Sequence, residues 1–214
     1  MPACRPLSAT EVERVLLSFH GPNRARDQAL FTLGILSGFR ISELLSLRVR
    51  DVVHHGRITD YLTVARRQMK RKAHSRTVAL HPHAQQALRT WLLALQARTT
   101  VTPDTPVFLS RRGSNQPISR RRALRLLQTR FNALGMSGPL GTHSMRKTFA
   151  VGIHKRLGHD LRKTQLALGQ SDINSTIKYL NVDQAEIDQA VRTLALGSPG
   201  PPLAADRPRM STPL

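Results

Sequence analysis

His143 and Arg146, in the segment His143-Ser-Met-Arg146, are spaced to act together on an anion. On a helix, positions i and i+3 share a face, so both side chains would point the same way. At a helix N-terminus they would add an imidazole donor and a guanidinium fork to amides that already favour negative charge. In chemical terms that is a phosphate clamp, although a pair this short also arises by chance in a basic chain. Arg40 stands just before the apolar helical stretch ISELLSLRV. By itself it reads as a boundary residue whose head reaches water, and Glu43, one turn on, is placed either to pair with it or to orient a neighbouring imidazole. Tyr179, in LGQSDINSTIKYL, reads by itself as a half-buried tyrosine with its hydroxyl at the surface. His54–His55 and His81-x-His83 lack a third ligand, and one cysteine, Cys4, excludes a multi-thiolate centre and a disulfide framework. No metal site is read.

The 214 residues carry 33 Lys and Arg against 13 Asp and Glu, a formal charge of +20 that speaks to partners rather than to fold. Two runs contain no acid. Residues 65–76 hold Arg66, Arg67, Lys70, Arg71, Lys72 and Arg76, and residues 111–130 hold Arg111, Arg112, Arg120, Arg121, Arg122, Arg125 and Arg130. A single charge run is usually a solvated face. Two in one folded chain point to a polyphosphate backbone, where each contact releases condensed counterions. Aromatic content of 4% argues against base stacking on single strands. No apolar run approaches the roughly 18 residues of a membrane span, and no basic helix carries an aromatic face for a membrane surface. The N-terminus lacks the order of a secretion signal, so the expected location is the cytoplasm, in association with the nucleoid. With 40% hydrophobic residues the chain can bury a core.

These side chains need elements to position them. Ser8 and Glu11 predict a capping box opening a helix over about 9–20, after an irregular arm of residues 1–7. Residues 24–37 show helical spacing ended by Gly38, and a short helix starts at Ile41. Arg57–Ala65 and Ser75–Leu80 read as two strands of a hairpin whose turn is the first basic run. Helices are expected over 82–97, with Pro82 in the first turn, and over 119–134, capped by Ser119 and stopped by Gly135. Further helices are expected over 142–157, 160–168, about 172–180 and 184–196. A Pro-rich tail, 197–214, reads as disordered. The class is mostly α with a small antiparallel β-sheet (α+β), with one domain over residues 8–196.

Taken in order, the pieces resemble the catalytic domain of the tyrosine recombinases, the phage integrase family. SGFRISELLSLRVRDV carries the Gly-x-Arg-x-Ser-Glu-Leu pattern, THSMRKTFA carries His-x-x-Arg, and LALGQSDINSTIKYL carries Leu-Gly-x-Ser with Tyr179 nine residues beyond Gln170. The basic hairpin ending RTVALH lies between the first two. The resemblance runs from about Leu7 to Leu196. It implies site-specific cleavage and rejoining of double-stranded DNA through a 3′-phosphotyrosine link formed by Tyr179. Arg40 and Arg146 would clamp the non-bridging oxygens, and His143 would hydrogen-bond the phosphate and assist proton transfer. Lys70 or Lys72, with Lys70 favoured, would protonate the departing 5′-oxygen. Glu43 matches the acidic position that holds the site together.

The resemblance also implies that neither metal nor ATP is used, because the phosphotyrosine stores the bond energy. Phenoxide, with a pKa of about 10, leaves more readily than a sugar alkoxide. Arg66, Arg67, Lys72, Arg120, Arg121, Arg122 and Arg125 are expected to contact DNA, with the 119–134 helix, and the hairpin as a further candidate, reading bases. Implied partners are further copies of the chain, four around two DNA sites with helix 184–196 docking between them, and an accessory DNA-bending protein. Gln170 departs from the family's His or Trp; its amide can donate to a phosphate but cannot exchange a proton. The chain also starts almost at the catalytic domain, like the short family members that include fimbrial phase-switch invertases. Two other readings stay open: a DNA-binding regulator of the same fold that no longer cleaves, and a type IB-like topoisomerase.

Overall fold

The computed structural model describes residues 4–64, 75–110, 115–177, 179–180, 188–189 and 191–193. Helices α1 (Ala9–Ser18) and α2 (Arg24–Ser37) are followed by two short ones, α3 (Ile41–Ser46) and α4 (Val49–Val52). Four strands come next: β1 (Val53–His54), β2 (Arg57–Ile58), β3 (Tyr61–Val64) and β4 (Arg76–Ala79). Helices α5 (Pro82–Gln96), α6 (Arg120–Ala133), α7 (Thr142–Arg156), α8 (Leu161–Leu168) and α9 (Ile173–Ile177) complete the described elements. The chain is mostly helical with small antiparallel sheets, as its sequence leads one to expect. It divides into Met1–Leu180, which holds all these elements, and Asn181–Leu214. In the second unit Asp188, Gln189, Val191 and Arg192 are helical. Thr193 follows in a turn, and residues 184–187, 190, 194–196 and the tail 197–214 lie outside the described residues.

Local chemistry sets the helix starts. Ser8 Oγ accepts from the Glu11 amide at 3.2 Å while Glu11 Oε2 accepts from the Ser8 amide at 2.9 Å, the reciprocal pair expected there. Ser119 caps α6 through the Arg122 amide at 3.1 Å, and Asp160 caps α8 through the Lys163 amide at 2.9 Å. Residues 4–7 are irregular but tied down: the Arg5 amide donates to Pro139 O and the Leu7 amide to Thr148 Oγ1, both at 2.9 Å.

Two expected elements come out differently. The strand read over Arg57–Ala65 is broken. Its first part pairs with β1 across the two-residue turn His55–Gly56, where both residues have positive φ (51° and 75°), the geometry that closes a tight hairpin. Only β3 then pairs with β4, in the register Leu62↔Val78 and Val64↔Arg76. The helix read over 172–180 shrinks to Ile173–Ile177. Tyr179 lies beyond it, its amide donating to Thr176 O at 2.9 Å in an i→i−3 turn. Asn174, Ser175 and Thr176 are weak helix formers, and the Asp172 carboxylate holds the first turn instead by accepting from the Asn174 and Ser175 amides.

Helix α2 is the axis of the core. Buried residues lie all around it, from Ala29, Leu30 and Phe31 to Leu33 and Ile35, as expected of a helix enclosed by others. It packs against α5 on one side and α7 on another. Contact with α7 is close at Gly34, where a Cβ would stand 2.6 Å from Met145 Sδ. That approach brings the next turn of α2, ending at Gly38, level with Arg146. Gly38 closes α2 in the left-handed region at φ 63°, and a side chain there would overlap the Phe149 ring. Gly38→Ala is therefore expected to lower stability in urea unfolding by ~2 kcal/mol or more, combining left-handed strain with the clash. Gly152→Ala, on the exposed face of α7 with open space around it, should gain up to about 1 kcal/mol.

Candidate active site

Helices α2 and α8 both end on a left-handed glycine, Gly38 and Gly169. Their last carbonyls have no partner within the helix and carry the negative end of the helix dipole. Arg146, in the second turn of α7, lies between them. Its Nη1 donates to Gly38 O, and its Nη2 donates to Leu168 O at 3.0 Å. The residue is 1% exposed, and its Nε is buried with no hydrogen-bond partner among the described residues. Burial pushes the guanidinium pKa down and the Arg40 charge adds to this, while Tyr179 and Glu43 act in the opposite direction. The Tyr179 ring lies against the same guanidinium, its centroid 5.5 Å from Arg146 Cζ.

Arg40 sits at the N-cap of α3 in extended conformation. Glu43, 3% exposed, accepts from the Arg40 amide at 2.7 Å through one oxygen and from Arg40 Nη1 at 3.0 Å through the other. One buried carboxylate thus holds both the backbone and the head of Arg40, while the side chain keeps 37% exposure toward solvent. Arg40 reaches water as a boundary residue, and of the two roles open to Glu43 the structure shows the pairing with Arg40. A cleft of roughly 200 Å³ is lined by Arg40, Ser42, Thr142, His143, Arg146 and also Arg120. His143 is exposed at its edge, in the first turn of α7. Thus Arg40, His143 and Arg146, far apart in sequence, share one cleft, and Arg146 also touches Tyr179.

Gln170 is placed differently from these four. Its side-chain Oε1 accepts from the Thr176 hydroxyl at 2.6 Å, and its Nε2 points at Ser175 O at 3.4 Å. The amide is engaged with α9, the element that leads into Tyr179. Arg66, Arg67, Lys70 and Lys72 lie outside the described residues. Arg121, Arg122 and Arg125 stand exposed on α6, whose buried face is Ala123, Leu127 and Phe131. Arg120 begins that helix, and its position at the cleft links the basic α6 to the site.

The sequence reading counts Arg76 in the acid-free run that points to a polyphosphate and gives it no place in the site. In the structure Arg76 is 7% exposed and bonds to the ends of α2 and α8. The signal was present in strand period: Arg76 alternates with Val78 and so belongs to the inward face.

The sequence profile of the phage integrase family matches residues 5–186. Tyrosine recombinase XerC of Caldanaerobacter subterraneus is 28% identical over 186 residues, which cover 86% of this chain and 49% of that protein. The probable integrase/recombinase YoeC of Bacillus subtilis is 30% identical over 174 residues, covering 81% of this chain and 85% of that one. The chain spans about half the length of most curated relatives it matches, as with the 50% for XerC of Thermodesulfovibrio yellowstonii. Among solved structures, the XerA recombinase superposes with a TM-score of 0.69 at 22% identity, over 90% of this chain and 66% of that one. The XerH site-specific recombinase bound to its palindromic difH substrate gives 0.68 at 22% identity, over 88% and 52%. With the family profile spanning most of its length and Arg40, His143, Arg146 and Tyr179 in the order that the family's motifs require, this chain belongs to the phage integrase family.

Proposed function

We propose that the chain cleaves and rejoins DNA strands as a site-specific tyrosine recombinase. The observation that carries this reading is the placement of Arg146: one buried guanidinium shares a cleft with Arg40 and His143 and lies against the Tyr179 ring. In the proposed step the Tyr179 oxygen attacks the scissile phosphorus and forms a phosphotyrosine ester. The P–O5′ bond breaks, and the 5′-oxygen takes a proton from the hairpin lysine, Lys70 or Lys72. The phenol proton leaves toward solvent or a neighbouring base, for which His143 is the candidate. Arg40 and Arg146 stabilise the charge that grows on the non-bridging oxygens, each contributing about 10²-fold or more in rate. The ester keeps the energy of the broken bond, so the reverse attack by a 5′-hydroxyl needs neither ATP nor metal.

Duplex DNA is the partner that fits the charge. Arg120 at the cleft and Arg121, Arg122 and Arg125 along α6 offer a basic track leading away from the site. Further copies of the chain around two DNA sites, an accessory bending protein, and a nucleoid location belong to the same proposal. A second reading, a regulator of this fold that binds DNA without cutting it, draws on Gln170, whose amide is taken up by Thr176 and Ser175.

A nicked suicide duplex separates the two. The recombinase forms a covalent protein–DNA band that Tyr179→Phe abolishes, and Arg40→Ala reduces its rate by about 10²-fold. Tight binding with no adduct on any cognate site would leave the regulator. Exchange between two sites, rather than relaxation of a supercoiled circle, excludes a topoisomerase. Nonspecific affinity should fall steeply with salt, since many phosphate contacts release counterions; a flat response would remove the basic track from the argument. Inorganic phosphate, binding the cleft of the folded chain, should raise Tm, and Arg40→Ala should reduce the gain.

A further inference from the structure

Arg76 opens β4 and points inward, opposite Val64. Its Nη2 donates to Ser37 O at 2.8 Å and to Ala167 O, and its Nη1 leans toward Gly38 O at 3.4 Å. Arg146 bonds to Gly38 O and Leu168 O. The two guanidiniums therefore bridge the same pair of helix ends, on acceptors consecutive in each: Ser37 and Gly38 at the end of α2, Ala167 and Leu168 at the end of α8. The Arg76 side chain also packs where Gly169 leaves room, since a Cβ there would stand 2.5 Å from Arg76 Cδ. Its guanidinium carbon lies 4.7 Å from the centre of the Phe39 ring, which adds cation–π attraction next to Arg40. Burial, then the Arg146 charge, push the Arg76 pKa down to about 9, which leaves it cationic at neutral pH. Two like charges side by side are costly, and the partial negative charges of both helix ends offset that cost.

We propose that Arg76 is a positioning residue for the cleft: it holds the ends of α2 and α8 at the separation Arg146 spans, and so aims the Arg146 guanidinium at the reacting phosphate. Without Arg76, Arg146 would bridge those ends without its parallel partner, and the carbonyls that orient it would be free to shift. The same bonds anchor β4, the strand that leaves the basic turn, to the floor of the site. Arg76 itself does not line the cleft, so it acts through Arg146 rather than on the substrate. The inference deepens the proposed recombinase reading and rests on it for the identity of the phosphate.

The test compares Arg76→Met and Arg76→Lys in the full chain. Lysine keeps the charge but replaces the planar fork with a point donor that cannot serve both helix ends in the same geometry. Both variants should retain DNA affinity, while single-turnover cleavage of saturating nicked duplex slows by about 10²-fold, the cost of a displaced clamp. The double variant R76M/R146A should be no slower than R146A alone, because the two residues act as one unit. The Tm gain from inorganic phosphate should shrink in both Arg76 variants. Cleavage at the wild-type rate, loss of DNA affinity in step with rate, or multiplicative effects in the double variant would each overturn the proposal. So would failure of both variants to fold, which would make Arg76 a scaffold residue alone. If the wild type forms no adduct, the recombinase reading fails, and the phosphate comparison still decides the inference: an equal Tm gain in wild type and variants, or none in either, rules it out.

Discussion

A guanidinium buried at 1% exposure must find partners for its charge and its donors, and Arg146 finds two of them in carbonyls that two helices leave unsatisfied at their C-termini. This requirement organises the surrounding chain. Helix α2 must stop at Gly38 with its carbonyl turned toward α7, and α8 must stop at Gly169 with Leu168 O on the opposite side. The close approach of α2 and α7 at Gly34 and Met145 sets the distance between them. Each termination needs a residue that tolerates positive φ, and the space beyond each glycine is already filled, by Phe149 at Gly38 and by Arg76 at Gly169.

The same geometry explains why the cleft suits an anion. Arg40, Arg76, Arg120 and Arg146 bring four positive charges near it, and Glu43 supplies one buried carboxylate in return. Helix-end carbonyls compensate partly, but they are dipoles rather than charges. What remains is a positive field in a small cleft whose groups are already oriented. Preorganisation of this kind lets charge developing on a phosphate be met without moving the protein. Tyr179 enters from a turn rather than from within a helix, so its placement depends on the short α9 segment and on the bonds Gln170 makes to Thr176 and Ser175.

Legibility in the sequence varied with how local each determinant is. Capping by Ser8 and Ser119, the stops at Gly38 and Gly135, and the helical faces were readable because their causes lie within one turn. The long strand read over 57–65 was wrong because His55–Gly56 closes a tight hairpin that a β-rich run conceals. The helix before Tyr179 is shorter than its sequence reading because Asn174, Ser175 and Thr176 are weak helix formers in a single turn held by the Asp172 carboxylate. Arg76 is read from sequence with the acid-free basic run, and its pairing with Val64 shows that it takes the inward face of β4.

Charge, the three motif segments and their order are properties of the chain as written, and they pointed to the family and to the residue types for phosphate chemistry before any fold was known. Which arginines meet is another matter. Arg40, Arg76 and Arg146 come from three separate elements, and Arg120 joins the cleft from a fourth. Their convergence depends on helix packing around α2 and on carbonyls at two helix ends, acceptors that every residue possesses and that no sequence pattern marks. Only the tertiary structure selects which of those carbonyls are left unpaired beside a buried cation, and that selection decides which arginine faces the cleft and which one stands behind it.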